Sequence, residues 1–429
     1  MRYEKVTLPN GLRVLVSEMP EARSVSISIY VGVGSRAESR EDAGTSHFLE
    51  HMVFKGTAKR PTAQEISQAI EGVGGVANAS TDKECTVFWS RMVARHWLLG
   101  LDVLADMLRS PLLRESDVEV ERKVVIEELR MYRDQPQDRV HTIIDELLYP
   151  RHPLGWEIAG RERVVRAMTA DHLRSFMRRG YSPDRIVVAI AGRVAPAEAF
   201  EAVRAHLGDL EATAPLALRP APPPSKERSK TLAKRGEQMH LCLGWRGVPQ
   251  DHPDKYTLDM LNAVLGEGMS SRLFLELREK RALAYDVHSF ESNYVDAGHL
   301  VIYAGVAPDR VAEAMDVALA QVARLRDEPV GDAELLRVRD FAKGRIELRL
   351  EDTRGVSSWL AGQELFLGRV RTVDETCAII DSIGAADIQR AARDYLRPEH
   401  AYVAAVGPRA ALATVAVPAR ENVPMEIAS

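Results

Sequence analysis

Hydrophobic positions recur along this chain with two periods, and these divide it into short strands and longer helices. Val25, Ile27, Ile29, Val31 and Val33 alternate with mostly small or polar residues, the pattern of a half-buried strand. Before them, Asn10-Gly11 stands between two apolar runs of residues 3–17, which predicts a hairpin. Runs rich in β-branched and aromatic residues predict further strands at Cys85 to Trp89, Ile186 to Ala191, Met239 to Trp245, Val287 to Asn293, His299 to Ala304 and Tyr402 to Val406. Trp97, Leu101, Leu104 and Leu108 recur at helical spacing within 94–109. Helices are also expected over 163–180, 309–326, 332–350 and 385–395. Thr62 to Glu65 and Ser116 to Glu119 have the capping-box pattern of helix starts.

The elements group into two halves. A proline-rich run, with Pro215 and then Pro220-Ala221-Pro222-Pro223-Pro224, reads as an extended connector. It gives a first domain at 1–211, a linker at 212–235 and a second domain at 236–429. A chain of 429 residues is in any case long for one core. The halves look like repeats. Leu173 to Gly192 can be laid on Ile388 to Gly407 at a constant offset of 215 residues, with Pro183 on Pro398 and Gly192 on Gly407. The expected fold class is α+β, with two homologous domains. Each is a mostly antiparallel sheet with helices on one face.

Composition narrows the function classes. The hydrophobic share is 45%, the charged share 28% and the net charge −5, which gives no footprint for nucleic acid or an anionic membrane. No apolar run approaches the roughly eighteen residues of a membrane span. The N-terminus reads as strand and turn, so no signal or transit peptide is expected. Cys85, Cys242 and Cys377 are widely spaced and read as free thiols in a reducing cytoplasm.

The chemistry concentrates in Gly44-Thr45-Ser46-His47-Phe48-Leu49-Glu50-His51-Met52, which contains H-x-x-E-H. On a helix, His47 and His51 share a face and can hold one metal ion, most often zinc. Glu50 borders that face and can take a proton from metal-bound water. Val76 to Asp82 is small and polar. It fits either an exposed strand edge open to peptide pairing or a plain hairpin connection. Glu121 and Glu128, seven apart on one helix, share a face that by itself reads as solvated.

With these motifs the chain resembles the pitrilysin, or insulinase, family of zinc peptidases, and its half-length members similar to mitochondrial processing peptidase. The resemblance runs over nearly the whole chain. It rests on Asn10 to Val14, Gly44 to Gly56, Asn78-Ala79-x-Thr81, Glu121-Arg122-x-Val124-x-x-x-Glu128, and Ser271 to Phe274 with Leu277-Arg278-Glu279.

The resemblance implies one zinc ion per chain, held by His47, His51 and Glu128. It gives Glu50 the role of general base and Glu121 that of a support for a zinc histidine. It implies substrate binding as an added strand at Asn78 and Ala79, with Arg278 and Tyr285 gripping the substrate. The expected protein is an endopeptidase acting on extended or unfolded peptides. Its two domains would form a clamshell, and a homodimer would share composite sites. It would be cytoplasmic, in a bacterium or archaeon, with no nucleic-acid or membrane partner. Rival readings are a non-catalytic structural subunit and a catalytic subunit needing an unlike partner chain.

Overall fold

The structure, a computed structural model, describes residues 2–418. It forms two compact units, each built on one sheet. The first sheet comprises β1 (Glu4–Thr7), β2 (Arg13–Glu18), β3 (Ser24–Val31), β4 (Val76–Thr81), β5 (Thr86–Val93) and β6 (Ile186–Gly192). Their order is β1-β2-β6-β3-β5-β4, antiparallel except for the β2/β6 pair. The second comprises β7 (Ser229–Ala233), β8 (Met239–Gly247), β9 (Ala284–Asn293), β10 (Gly298–Val306) and β11 (Tyr402–Gly407). Its order is β7-β11-β8-β10-β9, with β7/β11 the parallel pair. Strand for strand this repeats β2-β6-β3-β5-β4. The helix-turn-strand unit expected to recur does so as Ala170–Gly180 with β6 and as Ala385–Tyr395 with β11.

The hairpin turn is present. Gly11 has φ +92, a conformation that a side chain would strain, and β1 and β2 pair across it. The Thr62 capping box also forms. At the second expected box, however, the helix Glu115–Asp134 starts one residue before Ser116, and Arg114 O takes the first bonds, from Asp117 and Val118 N–H.

The compact units are not the continuous stretches 1–211 and 236–429, because each half gives one helix to the other's sheet. Pro136–Leu148 belongs to the second unit and Thr353–Leu367 to the first. The first of these helices buries Val140, Ile143, Ile144, Leu147 and Leu148 with Cys242, Val301, Tyr303, Ala404 and Val406. The second buries Val356, Leu360 and Ala361 against Leu15, Val187, Ala189 and Ala191. Each large aliphatic side chain so buried is worth about 1.5–3 kcal/mol, enough to fix where the helix goes. Part of the expected linker, residues 229–233, is strand β7.

This exchange corrects the expectation of helices on one face only. Val25, Ile27, Ile29 and Val31 of β3 point into the main core with Leu101 and Leu104 of the helix Trp97–Arg109. The opposite, polar face of β3 is buried as well. Ser26 Oγ meets Thr353 Oγ1 at 2.8 Å and Ser28 Oγ meets Ser357 Oγ at 2.7 Å. Strand β4 remains an edge of its sheet, with Val76, Asn78 and Ser80 exposed.

Candidate metal centre

The H-x-x-E-H segment is the helix Thr45–Met52. Phe48, Leu49 and Met52 point into the core, which turns His47, Glu50 and His51 to the opposite side. The helix start is built around glycine. Gly44 has φ +100, and a Cβ there would lie 2.6 Å from Ala159 O. No side chain of the capping position serves the first turn; Glu38 does so from the preceding loop. Its Oε2 accepts from Gly44 N–H and its Oε1 from Ser46 N–H, both at 2.7 Å.

Burial pushes the Glu38 carboxyl up to about 8, against the lowering effect of those two donors. Its folded-state pKa is therefore above the unfolded value of 4.5. The stability it contributes is complete below pH 4.5 and is lost as pH rises through about 8. The melting temperature of the native chain, relative to that of Glu38→Gln, should accordingly fall between those two pH values. A difference that is flat or rises with pH contradicts this account.

The helix Glu115–Asp134 brings Glu121 and Glu128 to the histidines. Glu128 Oε1 lies 3.7 Å from His47 Nε2, and Glu128 Oε2 lies 3.7 Å from His51 Nε2. These separations are too long for hydrogen bonds, yet one ligand atom from each of the three residues falls within 4.8 Å of the others. This is the only such group among the described residues. Two imidazole nitrogens and a carboxylate, converging without bonding one another, suit a catalytic zinc ion with an open fourth position.

Glu121 completes the arrangement from behind. Its Oε1 accepts from His51 Nδ1 at 2.9 Å, which leaves His51 Nε2 free to ligate. Its Oε2 pairs with Lys55 Nζ at 2.5 Å. Glu121 is nearly buried. Burial alone would raise its pKa, but the bonds to His51 and Lys55 lower it overall, so it stays ionised. Burial, with His51 beside it, pushes His47 down to about 4, so its ring is neutral and ready to bind metal. Burial also lowers His51, but its bond to Glu121 and the nearby carboxylates more than reverse this. Glu50 is raised by burial, only partly offset by a hydrogen bond from Thr81 Oγ1 to Oε2 at 2.5 Å.

The expected substrate residues divide between the units. Asn78 and Ala79 lie on β4, the edge strand that carries Thr81. In the second unit Arg278 and Tyr285 come together, although seven residues apart. The Arg278 guanidinium lies 4.8 Å from the Tyr285 ring centre and 4.8 Å from that of Phe274. Arg278 stands on a π-helical turn, Phe274–Lys280, and Tyr285 is the second residue of β9, with 76% of its surface exposed. Sequence reasoning gave no role to Glu38, Lys55 or Thr81. Thr81 stood within a quoted motif and Lys55 in the segment after the histidines. Nothing in the local sequence ties Glu38 to the helix start.

Comparison with known proteins decides the family. The sequence model described as Insulinase (Peptidase family M16) matches residues 13–162. The one described as Peptidase M16 inactive domain matches 167–341. An uncharacterized zinc protease of Bacillus subtilis is 37% identical over 90% of this chain and 93% of its own length. The chain belongs to the insulinase family, peptidase family M16. An uncharacterized zinc protease of Streptomyces coelicolor is likewise 37% identical, over 91% of this chain and 87% of its own. Among solved structures, a protease from Helicobacter pylori superposes with TM-score 0.89 at 25% identity, covering 95% of this chain and 99% of that one. The M16 inactive-domain description falls mainly on the half without H-x-x-E-H, where the helix Lys255–Leu265 buries Thr257, Leu258, Met260 and Leu261. No helix among the described residues is long and apolar enough to cross a membrane.

Proposed function

We propose that this M16 protein is a zinc-dependent endopeptidase acting on extended or unfolded peptides. The observation that carries the reading is the convergence of His47, His51 and Glu128 beside Glu50. The names of the relatives, zinc proteases, agree with it. Held by these three residues, zinc would supply Lewis acidity, activating a water and polarising the scissile carbonyl.

The chain's own groups do the rest. Glu121 fixes the His51 ring through Nδ1. The burial that raises Glu50 suits it to accept a proton from the attacking water and then deliver it to the leaving amine. Strand β4 is the sheet edge at Asn78 and Ala79, so once Asn78 Oδ1 releases the Ala79 N–H an extended peptide can join the sheet through main-chain bonds. Side chains then matter less than an unfolded backbone. Arg278, stacked between two aromatic rings, presents a preorganised cation for a peptide carbonyl or carboxylate. In this reading the pair serves the zinc site of a second copy in a homodimer, within the cytoplasm.

Purified protein should contain zinc and cleave quenched, unstructured peptides. A chelator should stop the cleavage and added zinc restore it. Zinc-loaded protein that cleaves no member of a broad peptide library would overturn the reading.

A further inference from the structure

One contact joins the peptide edge to the reacting group. Thr81, the last residue of β4, donates its hydroxyl to Glu50 Oε2 at 2.5 Å. Two residues earlier, the Ala79 N–H is held at 2.8 Å by its neighbour's side chain, Asn78 Oδ1. That amide therefore faces the free side of β4. Strand alternation turns the backbone of Ala77 and Thr81 to the same side. Glu50 thus docks on the edge that an added peptide would use, at the end of the pairing stretch.

The geometry points to Thr81 as a positioning residue that tethers Glu50 to this edge, so that the strand aligning the peptide also sets the base. The inference rests on the peptidase reading and deepens it. Two features make the tether specific. Thr81 pairs with Thr86 of β5, whose hydroxyl is itself fixed on Val33 O at 2.8 Å, so the end of β4 is anchored to the sheet. Glu50 is half-buried on a short helix, and without this bond its carboxylate could adopt other rotamers. Holding it in one of them keeps the base in line with the end of the peptide strand.

The test uses Thr81→Val, which keeps the β-branched shape and removes the hydroxyl, and Thr81→Ser, which keeps the hydroxyl. In zinc-loaded full-length protein, Thr81→Val should lower kcat for an unstructured peptide by about tenfold or more, with KM and zinc content unchanged. Thr81→Ser should stay close to native. In zinc-free protein, the Glu50 side-chain carboxyl 13C resonance, assigned with Glu50→Gln, should move in Thr81→Val and not in Thr81→Ser. An unmoved resonance in Thr81→Val, or native kcat in that variant, overturns the tether. The resonance needs no activity. If the native protein cleaves nothing, the peptidase reading falls and the tether is still decided.

Discussion

Glu50→Gln is expected to retain zinc at the native level and to lose about 10²–10⁴-fold in kcat. The amide is nearly isosteric with the carboxylate. Its oxygen can still accept from the Thr81 hydroxyl that now bonds Oε2. The three candidate ligands His47, His51 and Glu128 are untouched, so metal content should not change. In the proposed mechanism, what is lost is the site that takes the proton from water, and an amide cannot replace it.

The folded protein should not suffer. Glu50 has its pKa raised in the native state, so its ionised form costs stability as pH rises through that value. The neutral amide removes this penalty, and in the zinc-free protein Glu50→Gln should melt at or above the native temperature near neutral pH. Full zinc occupancy with a less than tenfold loss of kcat would remove Glu50 from the role of base. Loss of zinc from the variant would show that Glu50 helps to hold the metal.

The parts of the molecule that sequence predicts well are those in which local pattern and burial agree. The alternation of β3, the Asn10-Gly11 turn and the repeated helix-turn-strand ending in Gly192 and Gly407 all reappear in the structure. The helix exchange was hidden because Ser26 and Ser28 look like a solvated face. Their hydroxyls are in fact bonded to Thr353 and Ser357, more than three hundred residues away. A small polar residue buried by hydrogen bonding has the same sequence signature as an exposed one.

The candidate centre shows the same division. H-x-x-E-H reveals two candidate ligand positions because both lie on one turn of one helix. Glu128 and Glu121 are legible only through the family resemblance, since an acidic helix face is ordinarily solvated. Glu38 shows the limit most plainly. It serves the start of the Thr45–Met52 helix in place of a local cap, through two backbone bonds that no helix-start pattern encodes.

Mixing two impaired variants, assayed at peptide concentrations far below KM, should restore activity if the sites are shared between copies. Glu50→Gln lacks the base but keeps the Arg278 and Tyr285 pair. Arg278→Ala keeps the complete His47, Glu50, His51 and Glu128 set but loses the cation stacked between Phe274 and Tyr285. Alone, each variant places its defect in every site of a symmetric dimer. In a mixed dimer, one site has both defects, and the other combines an intact metal centre from one chain with an intact arginine from its partner. With free exchange and equal amounts, half the dimers are mixed and half of their sites are whole, so recovery should reach about one quarter of native activity. The two variants should differ when assayed separately. Arg278→Ala, which weakens the hold on peptide, should raise KM, whereas Glu50→Gln lowers kcat. If exchange is demonstrated by mass-tagged chains and activity stays at the level of the single variants, Arg278 does not act across a subunit boundary. If Arg278→Ala alone retains native kcat/KM, the arginine has no part in holding substrate.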